Sequence, residues 1–156
     1  MFADQAKRFG AKGNVPDLAY LNFPKSINLG YDGDKLTVES LVQWVGDVDS
    51  GKVKWQPKSE PEPESQSGPV FDAVGTNIEA TVNQDKDVFV MFYAPWCGHC
   101  KSMKPAFEEL GAKFAGSKTL QIARINADDN DVAHVVSLTG FPTLALYRRD
   151  SKGKAV

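Results

Sequence analysis

The chain has 156 residues, 42% of them hydrophobic, and a formal net charge of −2 from 18 basic and 20 acidic side chains. That length allows one modest core, or one and a half small domains. Lysines and acids are interspersed, so no basic stripe suits nucleic acid. No apolar run approaches the roughly 20 residues of a membrane span, and the start "MFADQAKRFG" is charged where a secretory leader would carry its apolar core.

The front segment, residues 1–55, contains "GNVPDLAYL" at residues 13–21, which repeats the pattern of the later "TGFPTLALY": a proline at the same place before an alternating strand. A second short strand "SINLGY", a turn "DGD" and a helix beginning near Thr37 follow, with Val38, Leu41, Val42, Val45 and Val48 assigned to one face. Residues 56–68 then alternate prolines with glutamates and serines. With almost nothing apolar to bury, they read as an extended linker.

After the linker, "PVFDAV" predicts a strand and "NIEATV" a short helix. The continuous apolar run "VFVMFYA" predicts a central strand covered on both faces. From Cys97, apolar residues Met103, Phe107, Leu110 and Phe114 recur at helical spacing, with Pro105 expected to kink the axis. "LQIARIN" predicts a strand, "DNDVAHVVSL" a helix with Val132, Val135 and Val136 inward, and "TLALY" a closing strand. Strands alternating with helices imply an α/β fold, a mainly parallel sheet with helices on both faces.

Both cysteines of the chain, Cys97 and Cys100, stand in "FYAPWCGHCK". Two are too few for a disulfide scaffold. A closed zinc site wants four ligands, and only His99 and His134 remain to complete one. Covalent haem attachment wants a histidine where Lys101 stands. An inert structural bridge is a weak reading, because closing so short a loop removes little entropy from the unfolded chain. A redox pair at the start of a helix fits: free backbone donors and the helix dipole favour a thiolate. That help is modest. A thiol near pKa 8.5 is only about 3% ionised at pH 7, so His99 is a further candidate to stabilise the sulfur. His134 reads as a surface or partly packed residue, and Trp44 and Trp55 as packing and linker residues.

At "APWCGHCK" the sequence resembles the active-site region of the protein disulfide isomerase family, a thioredoxin-like domain. Lys101, Pro105 and "GFPT" at residues 140–143 extend the resemblance, which covers 69–147. It implies a thioredoxin-like three-layer fold, with Cys97 as attacking nucleophile, Cys100 as resolving cysteine, and His99, Trp96, Gly98 and Lys101 around them. It also implies a cis peptide at Pro142 facing the sulfurs, and substrate peptide lying beside Phe141, Pro142 and Thr143. No organic cofactor or metal is implied. The implied partners are unfolded cysteine-containing polypeptides and a redox partner such as glutathione or an oxidase. The implied location is the endoplasmic reticulum lumen.

Residues 1–55 resemble the end of a preceding non-catalytic thioredoxin-like domain, and 69–156 a catalytic domain lacking its last strand and helix. A closing helix buries about four apolar side chains at roughly 1.5–3 kcal/mol each, against a net domain stability of about 5–15 kcal/mol. Residues 28–48 are therefore expected to complete the rear sheet, within one chain or by swapping in a homodimer. Two departures accompany the resemblance. Met91 stands where the family carries a buried acid, which predicts slow escape from mixed disulfides. The family's arginine after the last strand has no counterpart in 69–156, and Lys35 is the candidate charge partner if residues 28–48 dock. An alternative function is a weakly active, chaperone-like module that binds unfolded peptides.

Overall fold

The computed structural model describes residues 18–22, 27–31, 35–53, 57–151 and 153–156. They fall into two compact units, which divide between Pro57 and Lys58.

In the first unit, β1 (Ala19–Asn22) and β2 (Ile27–Gly30) form an antiparallel two-stranded sheet, Ala19 opposite Gly30 and Asn22 opposite Ile27. Helix α1 (Val38–Asp49) starts at Thr37, whose side chain accepts from the Ser40 amide while the Ser40 hydroxyl accepts from the Thr37 amide. This reciprocal cap satisfies two otherwise orphaned donors. The buried face differs from the expected one. Trp44 packs edge-on to Tyr31 at 5.6 Å and is buried with Leu29, while Leu41 and Val48 flank it. Val38, Val42 and Val45 form a separate exposed stripe. The large indole decides which stripe is covered, because it removes more apolar area than any valine. The start of the repeat, the "DGD" turn and Trp55 lie outside the described residues.

The second unit is built on a four-stranded sheet in the order β3 (Phe71–Ala73), β5 (Leu120–Asn126), β4 (Asp87–Tyr93), β6 (Thr143–Tyr147). β3, β5 and β4 are parallel, and β6 runs antiparallel to β4 with Met91 opposite Leu144. Helix α2 (Ile78–Val82) follows β3, and helix α3 (Gly98–Phe114) follows β4 and continues through Pro105. One core joins Ile78, Val82, Val88, Val90, Phe92, Ile125 and Tyr147. The other joins Val70, Met91, Phe107 and Ile122, with Met103 and Leu110 packed against it from α3. Alternation along β4 divides its side chains between the two.

Three expectations are corrected. The segment 130–138 forms a single turn and no helix: the amides of Val135 and Val136 both donate to the Val132 carbonyl at 3.0 Å. The turn still presents Val132, Val135 and Val136 to the first core. Secondly, residues 28–48 contribute no strand to the rear sheet. β2 pairs with β1, while the outer edge of β6 is bridged by Ala155 opposite Tyr147, with the Val156 amide donating to Leu146 at 2.9 Å. A hairpin partner a few residues upstream closes a much shorter loop than a strand nearly 120 residues away. Finally, residues 58–66, expected to be part of an extended linker, belong to the second unit: Lys58, Ser59, Glu60, Glu62 and Gln66 all hydrogen-bond to Asp72, Thr76, Asp128 or Asn130. Their anchorage is polar, which apolar content could not reveal.

Candidate active site

β4 delivers the chain to the site. Its last residue, Tyr93, accepts from the Ala127 amide, and Ala94 is fully buried at the turn. Cys97 is the N-cap of α3: its backbone is extended, and its sulfur accepts from the Cys100 amide at 3.2 Å. The two cysteines form a disulfide with Cα atoms 5.3 Å apart. Both are buried, in a small cluster with Ala94 to which Tyr93 and Phe141 contribute. A sulfur held against free amides at a helix start is favoured as a thiolate, since those donors and the helix dipole stabilise negative charge.

The mouth of the site is aromatic. Trp96 is 66% exposed yet held at two points: its indole N–H donates to Asp128 at 3.0 Å, and its ring meets Phe141 edge-on at 5.8 Å. The Phe141–Pro142 peptide is cis. The Thr143 hydroxyl donates to the Gly140 carbonyl at 2.7 Å and fixes the bend that leads into β6. Gly98, His99 and Lys101 are exposed on the first turn of α3. Lys35 lies in the first unit, where its carbonyl accepts from Tyr31 and Ser40.

Behind Cys100 lies a cavity of about 280 Å³ lined by Met91, Tyr93, Ala94, Pro95, Lys101, Lys104 and Arg124. Arg124 stands opposite Met91 on the adjacent strand. Its guanidinium donates to both carboxylate oxygens of Asp72, one at 3.2 Å, and on its other side to Glu108. Asp72 first, and then Glu108, hold Arg124 protonated against the cost of burial. Burial pushes the Tyr93 phenol up. Arg124 is thus a partly buried cation on the wall of the cavity behind Cys100, which Lys101 and Lys104 also line. Sequence reasoning passed over Arg124, although a lone charge inside the apolar strand "LQIARIN" is a signal that such a residue has a partner. A larger cavity, about 370 Å³, lies around Phe114, Lys118 and Leu120 and does not border the cysteines.

Residues 69–156 match the thioredoxin family. The chain belongs to that family. Within it the similarity is to protein disulfide isomerases. The chain is 42% identical over 97% of its length to the protein disulfide-isomerase of Humicola insolens and 40% identical over 97% to that of Aspergillus niger. It is 40% identical over 72% of its length to protein disulfide-isomerase A3 of Gallus gallus. The chain spans 32%, 32% and 24% of those three relatives, about a third or less of each. Among the described residues, no helix is long and apolar enough to cross a membrane, and no group of acidic, histidine and cysteine side chains could hold a metal ion.

Proposed function

We propose that this chain carries a thiol–disulfide oxidoreductase and isomerase site acting on cysteines of unfolded secretory polypeptides. The observation that carries the reading is the double role of Cys97, half of a disulfide and cap of α3. In the reduced protein the Cys97 thiolate attacks a substrate disulfide, forms a mixed disulfide and releases one substrate thiolate. Cys100 then loses its proton and attacks the Cys97 sulfur, which expels the second substrate thiolate. The substrate is left reduced and the pair oxidised. Run backwards, the same steps oxidise a substrate dithiol, and substrate released before Cys100 reacts can reshuffle its disulfides. Glutathione or a thiol oxidase resets the pair.

Lys101 places positive charge near the thiolate, and His99, exposed on the same helical turn, supplies a charge or a donor to the sulfur. Substrate lies extended beside Phe141, Pro142 and Thr143, with Trp96 as an apolar wall. Relatives named as protein disulfide isomerases support this activity, and the endoplasmic reticulum lumen as its setting, where the oxidising poise suits such a pair. Residues 1–55 are the end of a non-catalytic thioredoxin-like domain, tethered by 56–68 to the catalytic domain.

The test is the rate of alkylation of Cys97 in the reduced protein against pH, followed by mass spectrometry. An inflection well below about 8.5 supports an assembled nucleophile; one matching the unfolded protein overturns it. A second reading, a chaperone-like peptide binder, is favoured by Met91 in the cavity wall and by exposed Trp96, Leu144 and Leu146. A Cys97→Ala protein that still suppresses aggregation without isomerase activity supports it. The exposed stripe of Val38, Val42 and Val45 also suits a homodimer, which light scattering across protein concentration would reveal.

A further inference from the structure

The end of β5 and the loop that follows it, residues 126–131, join two features with no obvious connection. One end holds Trp96: Asp128 accepts from its indole and is itself oriented by its own amide, which donates to the Asn126 side chain at 3.2 Å. The other end is gripped by the proline-rich segment. The Lys58 ammonium donates to the Asp128 carbonyl at 3.1 Å and pairs with Asp129 at 3.6 Å, while the Lys58 carbonyl accepts from the Asp131 amide at 2.8 Å.

Between them sits Asn130, 3% exposed and saturated with partners. Its carbonyl accepts from the amides of Glu60 at 2.9 Å and Gly75 at 2.8 Å. Its amide group donates to the Glu60 carboxylate at 2.7 Å and to the Asn126 carbonyl at 2.8 Å. Gly75 has no room for a side chain, since a Cβ there would stand 2.3 Å from the Lys58 carbonyl oxygen. The segment is seated as closely as a core element, although its exposed residues bury little.

We infer that Lys58–Glu60 is a strap that positions Trp96 for substrate, acting through Asn130 and Asp128. An exposed indole left to itself samples several rotamers, and ordering it on binding costs free energy. A strap that orders it in advance lowers that cost for any substrate reaching beyond the sulfurs to the indole, and for no smaller one. Lys58, Asn130 and Asp128 are therefore positioning residues for extended peptide disulfides. Attachment of the proline-rich segment sets peptide affinity without altering exchange chemistry. The inference rests on Trp96 and Phe141 forming the mouth of the exchange site.

The experiment compares kcat and KM of the full chain for a peptide disulfide with its rate on a small disulfide such as oxidised glutathione. It also follows hydrogen exchange of the Trp96 indole N–H by NMR, assigned with Trp96→Phe. Gly75→Ala, which displaces the Lys58 carbonyl, and Lys58→Met, a surface change that spares the fold, should each speed indole exchange. Each should raise peptide KM by about fivefold, the weight of one lost hydrogen bond, with kcat and the small-disulfide rate unchanged. Asp128→Ala should do the same, and Asp128→Asn, which keeps an acceptor, should behave as the parent. Trp96→Phe combined with Lys58→Met should be no worse than Trp96→Phe alone. Unchanged peptide KM and indole exchange in both strap variants, with the parent active, would overturn the strap. A parent that turns over neither substrate would overturn the exchange-site reading and the strap with it.

Discussion

The two faces of the rear sheet are built to different standards. The face under α2 is closed and largely apolar: Ile78, Val82, Val88, Val90, Phe92, Ile125 and Tyr147 are each no more than 1% exposed. The Tyr147 hydroxyl donates to the Val135 carbonyl at 3.0 Å, and burial pushes its pKa up to about 12. The face under α3 is interrupted. It carries an arginine between two carboxylates, a cavity behind Cys100, and Leu144 and Leu146 left exposed. One face supplies cohesion, and the other accepts looser packing where the cysteine pair sits. Strands with alternating side chains let a single sheet do both.

That contrast can be broken at graded points. Cys97→Ala should abolish isomerase activity and leave the melting curve within the scatter of surface substitutions, because the closed face is untouched; a scrambled-ribonuclease assay and circular dichroism check both. Phe92→Ala should do the reverse, at a cost of about 3–5 kcal/mol in urea unfolding. Arg124→Met leaves Asp72 and Glu108 half-buried and unpaired. It should cost about 2 kcal/mol, less than a fully buried broken pair, and Glu108→Gln added to it should recover part of the loss. Met91→Glu places an acid opposite Arg124 and beside Cys100. It should speed release of a trapped mixed disulfide, by about 10²-fold if it acts as a full general base, measured by quenched-flow mass spectrometry.

The smallest effect concerns pH. Burial holds His134 below its usual pKa, so the unfolded chain binds its proton more readily than the folded one. Stability contributed here is complete above the unfolded value of about 6.5 and is lost as pH falls through that value. His134→Gln should flatten the urea midpoint between pH 7 and 5.

Much of this division was legible beforehand. The uninterrupted apolar "VFVMFYA" announces a strand covered on both sides, and β4 lies in the middle of the contact pattern as that implies. "LQIARIN" and "TLALY" coincide with β5 and β6. The motif locates the cysteines because its spacing is local. What stayed hidden depends on partners distant in sequence. Arg124 finds Asp72 across 52 residues, and Asn130 finds Glu60 across 70. Asn130 was read as part of a helix start because its neighbours are aspartates, yet its side chain holds a strap. The proline-rich segment was read as an extended linker because composition reports burial and is silent on hydrogen bonds.

The sulfur that caps α3 has a consequence for energetics as well as geometry. A thiolate accepts the Cys100 amide in a charge-assisted bond, and a disulfide sulfur only in a weak one. Reduction and reoxidation of the pair would therefore tighten and loosen the first turn of a 17-residue helix. Part of the driving force for reduction is helix initiation, so any change that frays residues 98–101 should make the disulfide a poorer oxidant, even with both cysteines and His99 in place.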